Sequence, residues 1–274
     1  MNKIVKIFIY FFLIMGSILM LFPFFWMMTG SLKTYQEITA SPVVWFPKIP
    51  QWSNFTQVLT MKSNPFNIYF INSVLVAGAN TIFTLFTTIL AAFAFSRLEF
   101  RGRDKLFSLL LSTMMIPSQM YLITNFITIT NLHLYDNLLA QILPYIASIF
   151  YIYLLRQFFN QIPDQLYLAA KVDGCTDWKY LWKIMVPNAK SSLVTIGIFN
   201  FIASWNAYLW PIMVTGSVNK RVLSIGLMYF AGEAGTEYQF MMAGATIVVI
   251  PLIIIYLCFQ RYIIEGIARG GLKG

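Results

Sequence analysis

Charge is scarce in this chain. Asp, Glu, Lys and Arg together make up 11% of its 274 residues, against about 25% in ordinary globular domains. There is one histidine, His133, and there are two cysteines, Cys175 and Cys258. No His, Cys and carboxylate cluster has metal-ligand spacing, which removes the usual zinc sites. No G-x-x-x-x-G-K-[ST] stretch occurs, so the chain lacks that phosphate loop for ATP. Fixed-period repeats and low-complexity tracts are also missing. His133, beside a short turn, reads as a solvated or interfacial residue. Each cysteine reads as a small buried hydrophobe, and a disulfide between them is not expected.

What is present is apolar surface: 58% hydrophobic and 17% aromatic residues. Six runs reach the roughly 20 residues that a membrane-crossing helix needs. They lie at about 7–30, 68–95, 106–129, 138–159, 191–213 and 239–262. The expected fold is therefore an all-α integral membrane protein, a single transmembrane domain over 1–274. The first run follows Lys3 and Lys6. It is too long for a signal-peptide core and no small-residue cleavage site follows it, so it reads as a retained span. None of the six runs contains Asp or Glu. Proton and sodium pathways usually need such groups, which weighs against a proton-coupled secondary transporter.

The net charge is +9. The basic residues are dispersed between the apolar runs rather than gathered in a patch, so they point to membrane orientation and not to nucleic acid. With the N-terminus inside, fourteen Lys and Arg fall on the inner side and five on the outer side. That bias places both termini in the cytoplasm. The outer segment 31–67, with Pro42, Pro47, Pro50, Pro65, Trp45 and Trp52, reads as a turn-rich interfacial cap. A second outer loop, 214–238, carries Glu233 and Glu237, either as contacts or as part of a solvated loop.

Neutral amides do enter the runs: Asn72, Asn80, Asn125, Asn200, Asn206, Gln119 and Gln141. Trp205, Tyr208 and Trp210 surround Asn206. Amides and aromatic faces suit a neutral, hydroxyl-rich solute, with Asn72, Asn125, Asn200, Trp205, Asn206 and Tyr208 as the candidate pathway. The same residue types also serve as helix–helix glue and interfacial anchors.

The inner loop 160–190 is the most polar long segment. Pro163 and Asp164 suit a helix start. Leu166, Ala169, Ala170 and Asp173 fall at 3–4-residue spacing. Gly174 can take the left-handed conformation that ends a helix, and Thr176 can cap a second one. Trp178, Leu181, Trp182 and Met185 then repeat at i, i+3, i+4, i+7. Two short helices at an angle, on the inner membrane surface, are expected. They fit either a partner-docking element or an interfacial amphipathic segment.

The spacing around Gly174 resembles the pattern E-A-A-x3-G-x9-I-x-L-P of binding-protein-dependent ABC importer permeases. Ala169, Ala170, Gly174, Ile184 and Pro187 fall on it, between the fourth and fifth runs. Leu168 stands where the family has Glu. The stretches "NSVLVA" (72–77), "AAFAFSRLEFRGRD" (91–104), "MMIPSQ" (114–119), "FFNQIPDQL" (158–166), "SWNAYLWP" (204–211) and the last 34 residues look like the sugar-type subclass similar to the six-span maltose permease. Ala207 departs from that subclass, which often has an acid or Asn there.

The resemblance implies a type I importer permease with a homologous second permease and two ATPase subunits. ATP and Mg would sit on the ATPases, with no cofactor in this chain, which would hydrolyse nothing itself. An extracytoplasmic solute-binding protein would deliver a sugar or oligosaccharide. Leu168, Ala169, Ala170, Asp173, Gly174, Ile184 and Pro187 would form the ATPase-docking element of the 163–187 loop. The tail 265–274 would lie against the ATPase pair. A multi-pass protein of a bacterial or archaeal plasma membrane follows. Three alternatives stand beside it. A glycerol phosphate permease would favour a basic pathway residue, and none lies away from the span ends. A secondary transporter leaves the Gly174 spacing unexplained. A membrane enzyme lacks a catalytic constellation.

Overall fold

The computed structural model describes residues 3–231 and 237–271. Glu233 and the last three residues of the tail lie outside that set. The described residues form helices, turns and loops, with no strand among them. The chain divides into two compact units, Met1–Phe70 with Leu223–Leu252, and Ile71–Val222 with Ile253–Gly274.

Three helices are long and apolar enough to cross a membrane: Ile4–Ser31, Phe66–Arg97 and Tyr238–Tyr262. Two further spans arise only if bent pairs are counted as one each. Arg103–Thr113 and Ser118–Asn131 meet at 89°, and Leu138–Tyr145 and Ile149–Asn160 at 47°. The sequence expected straight runs at 106–129 and 138–159. Proline accounts for both breaks. Pro117 disfavours helix at the residue before it, and the chain resumes as a 3-10 turn, Ser118–Tyr121. Pro144 lies in the 3-10 turn Leu143–Tyr145, after which Ser148 accepts from the Tyr151 N–H and starts a new helix. The expected run at 191–213 is a 16-residue helix, Lys190–Trp205, followed by Leu209–Val214. Its longer piece falls short of the roughly 20 residues a span requires.

In the first unit, Asn54 closes the end of the helix Lys3–Ser31. Its Nδ2 donates to the carbonyls of Ser31 and Lys33, both at 2.9 Å. Lys33 lies over the Trp26 ring, 4.1 Å from its centre, a cation–π contact. Gly226 permits a close approach: a Cβ there would stand 2.3 Å from Tyr69 Cδ2.

The second unit holds the inner loop. Ile89, Ala92 and Phe93 of Phe66–Arg97 share one buried cluster with Leu155, Phe159, Ala170, Tyr180, Leu181 and Met185. The loop is therefore packed on the helix ends and not merely adsorbed beside them. At the other end of this unit, His133 and Asp136 adopt left-handed backbone, φ 56° and 60°. The Asp136 carboxylate accepts from the N–H groups of Gly216 and Ser217 and from the Ser217 hydroxyl. Those bonds, the hydroxyl first, hold its pKa below the usual carboxylate range. His133 is thus a turn residue. Cys258 is exposed and Cys175 half-buried, and both are free thiols. Within this chain alone the expected burial does not hold for Cys258, which is exposed on the helix Tyr238–Gly271.

Candidate functional site

Two places in the second unit combine unusual geometry with chemistry: the inner loop and an amide-lined cavity. The loop begins with the helix Asp164–Val172. Its end is a Schellman turn. Gly174 has φ +73°, the Cys175 N–H donates to the Ala170 carbonyl at 2.8 Å, and the Gly174 N–H donates to Lys171 at 3.0 Å. Thr176 then accepts from the Lys179 N–H and caps Asp177–Tyr180. No atom lies within 4 Å of a Cβ built on Gly174. Backbone conformation alone favours glycine there.

The corner between the helices is clasped. Lys171 Nζ lies 2.7 Å from Asp177 Oδ1, and the Tyr167 hydroxyl donates to the same oxygen at 2.6 Å. These contacts, Lys171 first, depress the Asp177 pKa, and the Asp177 contact raises that of Lys171. Tyr167 also packs edge-on to buried Tyr180, with ring centres 4.9 Å apart.

The second helix does not follow the expected face. Leu181–Met185 is a π-helical turn, and its wider winding shifts the side chains that follow. Tyr180, Leu181 and Met185 are buried, whereas Trp178 is exposed and Trp182 only partly covered. Of the first helix, Ala170 is buried and Tyr167 packs partly against the same cluster. Leu166, Leu168, Val172 and Trp178 all face outward, Leu168 at 62% and Val172 at 88% exposure. Ala169, Asp173, Gly174 and Pro187 are also exposed, and Ile184 is half-buried. A rigidly capped loop thus presents an apolar ridge.

One arginine, Arg97, fastens this loop to a helix end, and a second, Arg156, ties two of the helices together. Arg97, in the last turn of Phe66–Arg97, is buried. Its Nη2 donates to the carbonyls of Phe159 at 2.7 Å and Ile162 at 2.6 Å. Its Nη1 lies 3.2 Å from Asp164. Arg156 reaches the other way and donates to the Phe95 carbonyl at 3.0 Å. The loop composition was legible in the sequence. This pair was not, because a basic residue near a span end reads first as an orientation signal.

The cavity has a volume of about 200 Å3. Asn80 of Phe66–Arg97, Gln141, Tyr145, Asn200, Ser204 and Trp210 contribute to its wall. Asn80 Nδ2 donates to Ser204 Oγ at 2.9 Å, and Gln141 Nε2 to the Lys220 carbonyl at 3.1 Å. Asn80 Oδ1, Gln141 Oε1 and Asn200 Nδ2 are buried without a partner among the described residues. Each such orphan costs about 1–3 kcal/mol. Trp210 donates to the Ala140 carbonyl at 2.9 Å.

Of the six pathway residues expected from sequence, Asn200 alone lines this cavity. Asn72 is buried and donates to the carbonyls of Asn219 and Arg221 at 2.9 and 2.8 Å, so it fastens a loop. Trp205 is buried and stacks on Phe201. Asn206 and Tyr208 are exposed, and Asn125 is half-buried on Leu122–Asn131. Asn80 and Gln141 stand out only when three separated helices meet. Among the described residues no group of His, Cys, Asp and Glu forms a metal site.

A helical chain with three helices long and apolar enough to cross a membrane and a capped loop bearing exposed apolar residues has the build of a membrane subunit. Comparison with known proteins specifies which. Residues 84–269 match the family described as the binding-protein-dependent transport system inner membrane component, and the chain belongs to that family. It is 33% identical to the arabinooligosaccharides transport system permease protein AraQ of Bacillus subtilis, over 96% of this chain and 94% of the relative. It is 31% identical to the sn-glycerol-3-phosphate transport system permease protein UgpE of Yersinia pestis, over 95% of each. Its fold is similar to one chain of a bacterial ABC transporter involved in the import of the acidic polysaccharide alginate. There the TM-score is 0.82 and the identity 27%, covering 95% of this chain and 96% of that one. The chain is thus a membrane transport subunit, a permease of a binding-protein-dependent system.

Proposed function

We propose that this permease serves an ATP-driven importer of a sugar or oligosaccharide and couples to its ATPase through the 163–187 loop. The observation that carries the reading is the exposed apolar ridge of Leu168 and Val172, four residues apart on one face of a helix whose end is locked at Gly174. Apolar residues held rigidly outward fit a protein groove, because burying them there removes apolar area from water at about 25 cal/mol per Å2. In this reading the chain is one six-span permease domain in a bacterial plasma membrane, with both termini cytoplasmic. The bent pairs and Lys190–Trp205 with Leu209–Val214 complete the six. The partners are a homologous permease, two ATPase subunits carrying ATP and Mg, and an extracytoplasmic solute-binding protein.

A glycerol phosphate is the second reading, favoured by the likeness to UgpE. The test of the common claim is ATP hydrolysis by the assembled complex in lipid, with and without solute-loaded binding protein. Gly174→Val is expected to assemble but to lose stimulation. Normal stimulation in that variant contradicts docking through this loop.

A further inference from the structure

We propose that the cavity walled by Asn80, Gln141, Asn200, Tyr145 and Trp210 holds one uncharged sugar ring; this rests on the importer reading above and decides its substrate class against phosphorylated solutes. The argument begins with charge. Every residue lining the cavity is uncharged. A phosphate entering it leaves several anionic oxygens without a cation, a heavy desolvation cost. Two of the orphan atoms, Asn80 Oδ1 and Gln141 Oε1, are acceptors, and a fully ionised phosphate offers them nothing to accept. A sugar hydroxyl both donates and accepts. It can serve those two acceptors and also take the Asn200 Nδ2 donor once the amides turn toward the cavity, because none of the three atoms has appreciable accessible surface in this structure.

Size narrows the guest further. About 200 Å3 lies below the ~300–1,000 Å3 of pockets that take drug-sized ligands, which suits one ring and not two. The Tyr145 ring stands perpendicular to Trp210, with centres 6.2 Å apart. Such a corner gives an apolar wall for the C–H face of a sugar while the amides meet its hydroxyls. Helix-to-helix glue is a weaker account of these amides. Such bonding accounts for Asn80 Nδ2 on Ser204 and Gln141 Nε2 on the Lys220 carbonyl, but it leaves the oxygen of each amide unpaired among the described residues. The nearby cations Lys220 and Arg221 contribute backbone carbonyls to Gln141 and Asn72 and do not line the cavity.

The test uses the assembled importer in lipid nanodiscs with Cys175→Ser and Cys258→Ser. Ala203→Cys, on the cavity wall, is labelled with N-ethylmaleimide, and Lys62→Cys in an exposed loop is the control. Ala207→Cys serves as a second wall position if Ala203→Cys does not assemble. The probes are D-glucose, L-arabinose and sn-glycerol 3-phosphate. At least one sugar is expected to slow wall labelling by about fivefold, as a ligand at roughly four times its Kd would. Glycerol phosphate should leave it unchanged, and no probe should alter the control. Equal protection by glycerol phosphate overturns the proposal, as does absence of protection by both sugars. Stimulation of ATP hydrolysis by solute-loaded binding protein, measured on the same sample, tests the importer reading separately. Its loss with sugar protection intact rejects that reading and leaves the cavity assignment standing.

Discussion

Arg97 holds Ile162. The guanidinium Nη2 meets the Ile162 carbonyl at 2.6 Å and the Phe159 carbonyl at 2.7 Å, at the point where Ile149–Asn160 gives way to Asp164–Val172. The last turn of a long apolar helix is thereby bonded to the root of the inner loop. A push on the loop acts on that helix through two charge-assisted hydrogen bonds and the buried cluster beneath them, not through a slack connection.

Replacing Arg97 therefore tests transmission. Each charge-assisted bond is worth about 1.5–3 kcal/mol. The pair with Asp164 adds little, because that carboxylate is exposed. Arg97→Ala is expected to lower solute-stimulated ATP hydrolysis and uptake together. Arg97→Lys should restore only part, since one ammonium cannot reproduce the planar fork. Stimulated hydrolysis and uptake in proteoliposomes are the measurements, and full activity of Arg97→Ala contradicts the role.

Two glycines should fail differently. Gly174 needs its left-handed backbone and has open space around it. A residue with a Cβ costs roughly 1–2 kcal/mol there, so Gly174→Asn should retain more coupling than Gly174→Val. At Gly226 an added Cβ would instead collide with the Tyr69 ring. Overpacking of that kind costs about 1–3 kcal/mol, and Gly226→Val should lower the melting temperature and yield of the purified complex. A normal melting curve for Gly226→Val contradicts the contact.

The Lys171–Asp177 clasp predicts a flat pH response. The lowered Asp177 pKa gives stability that is complete above the ordinary carboxylate value and is lost as pH falls through the lowered one. The raised Lys171 pKa gives stability that is complete below the ordinary lysine value and is lost as pH rises through the raised one. The clasp is thus intact between about pH 5 and 9. Asp177→Asn should reduce stimulated hydrolysis by a constant ratio over that range. A ratio that changes sharply within it shows that another group governs the loop.

Leu168 tests the character of the ridge. The family pattern has Glu at this position, so Leu168→Glu should preserve ATPase association. Leu168→Lys and Val172→Asp should each weaken it, by placing a charge that the groove does not match. Co-purification of the ATPase from membranes measures this. Undiminished association in both of the latter variants rules out the ridge as the contact.

The sequence made the loop legible because local rules govern it: a cap at Thr176, a left-handed glycine and a helical start after Pro163. The π turn at Leu181–Met185 was hidden, since its i, i+3, i+4, i+7 pattern reads as ordinary α-helix. Pro117 and Pro144 were visible, but hydropathy averaging smoothed over the bends they cause. The cavity was the least legible part. Asn72 and Asn80 look alike in sequence, yet one is consumed by the Asn219 and Arg221 carbonyls and the other faces a cavity. Only the meeting of distant helices separates them.

The most direct test of the central claim is proximity. In the assembled complex, on the cysteine-free background, Val172→Cys should cross-link to the ATPase subunit with a short bifunctional thiol–amine reagent, and the yield should change when ATP binds. Thr128→Cys, exposed on Leu122–Asn131, should give no such product. Absence of an ATPase cross-link from Val172→Cys, in a complex that still hydrolyses ATP in response to solute, contradicts the account.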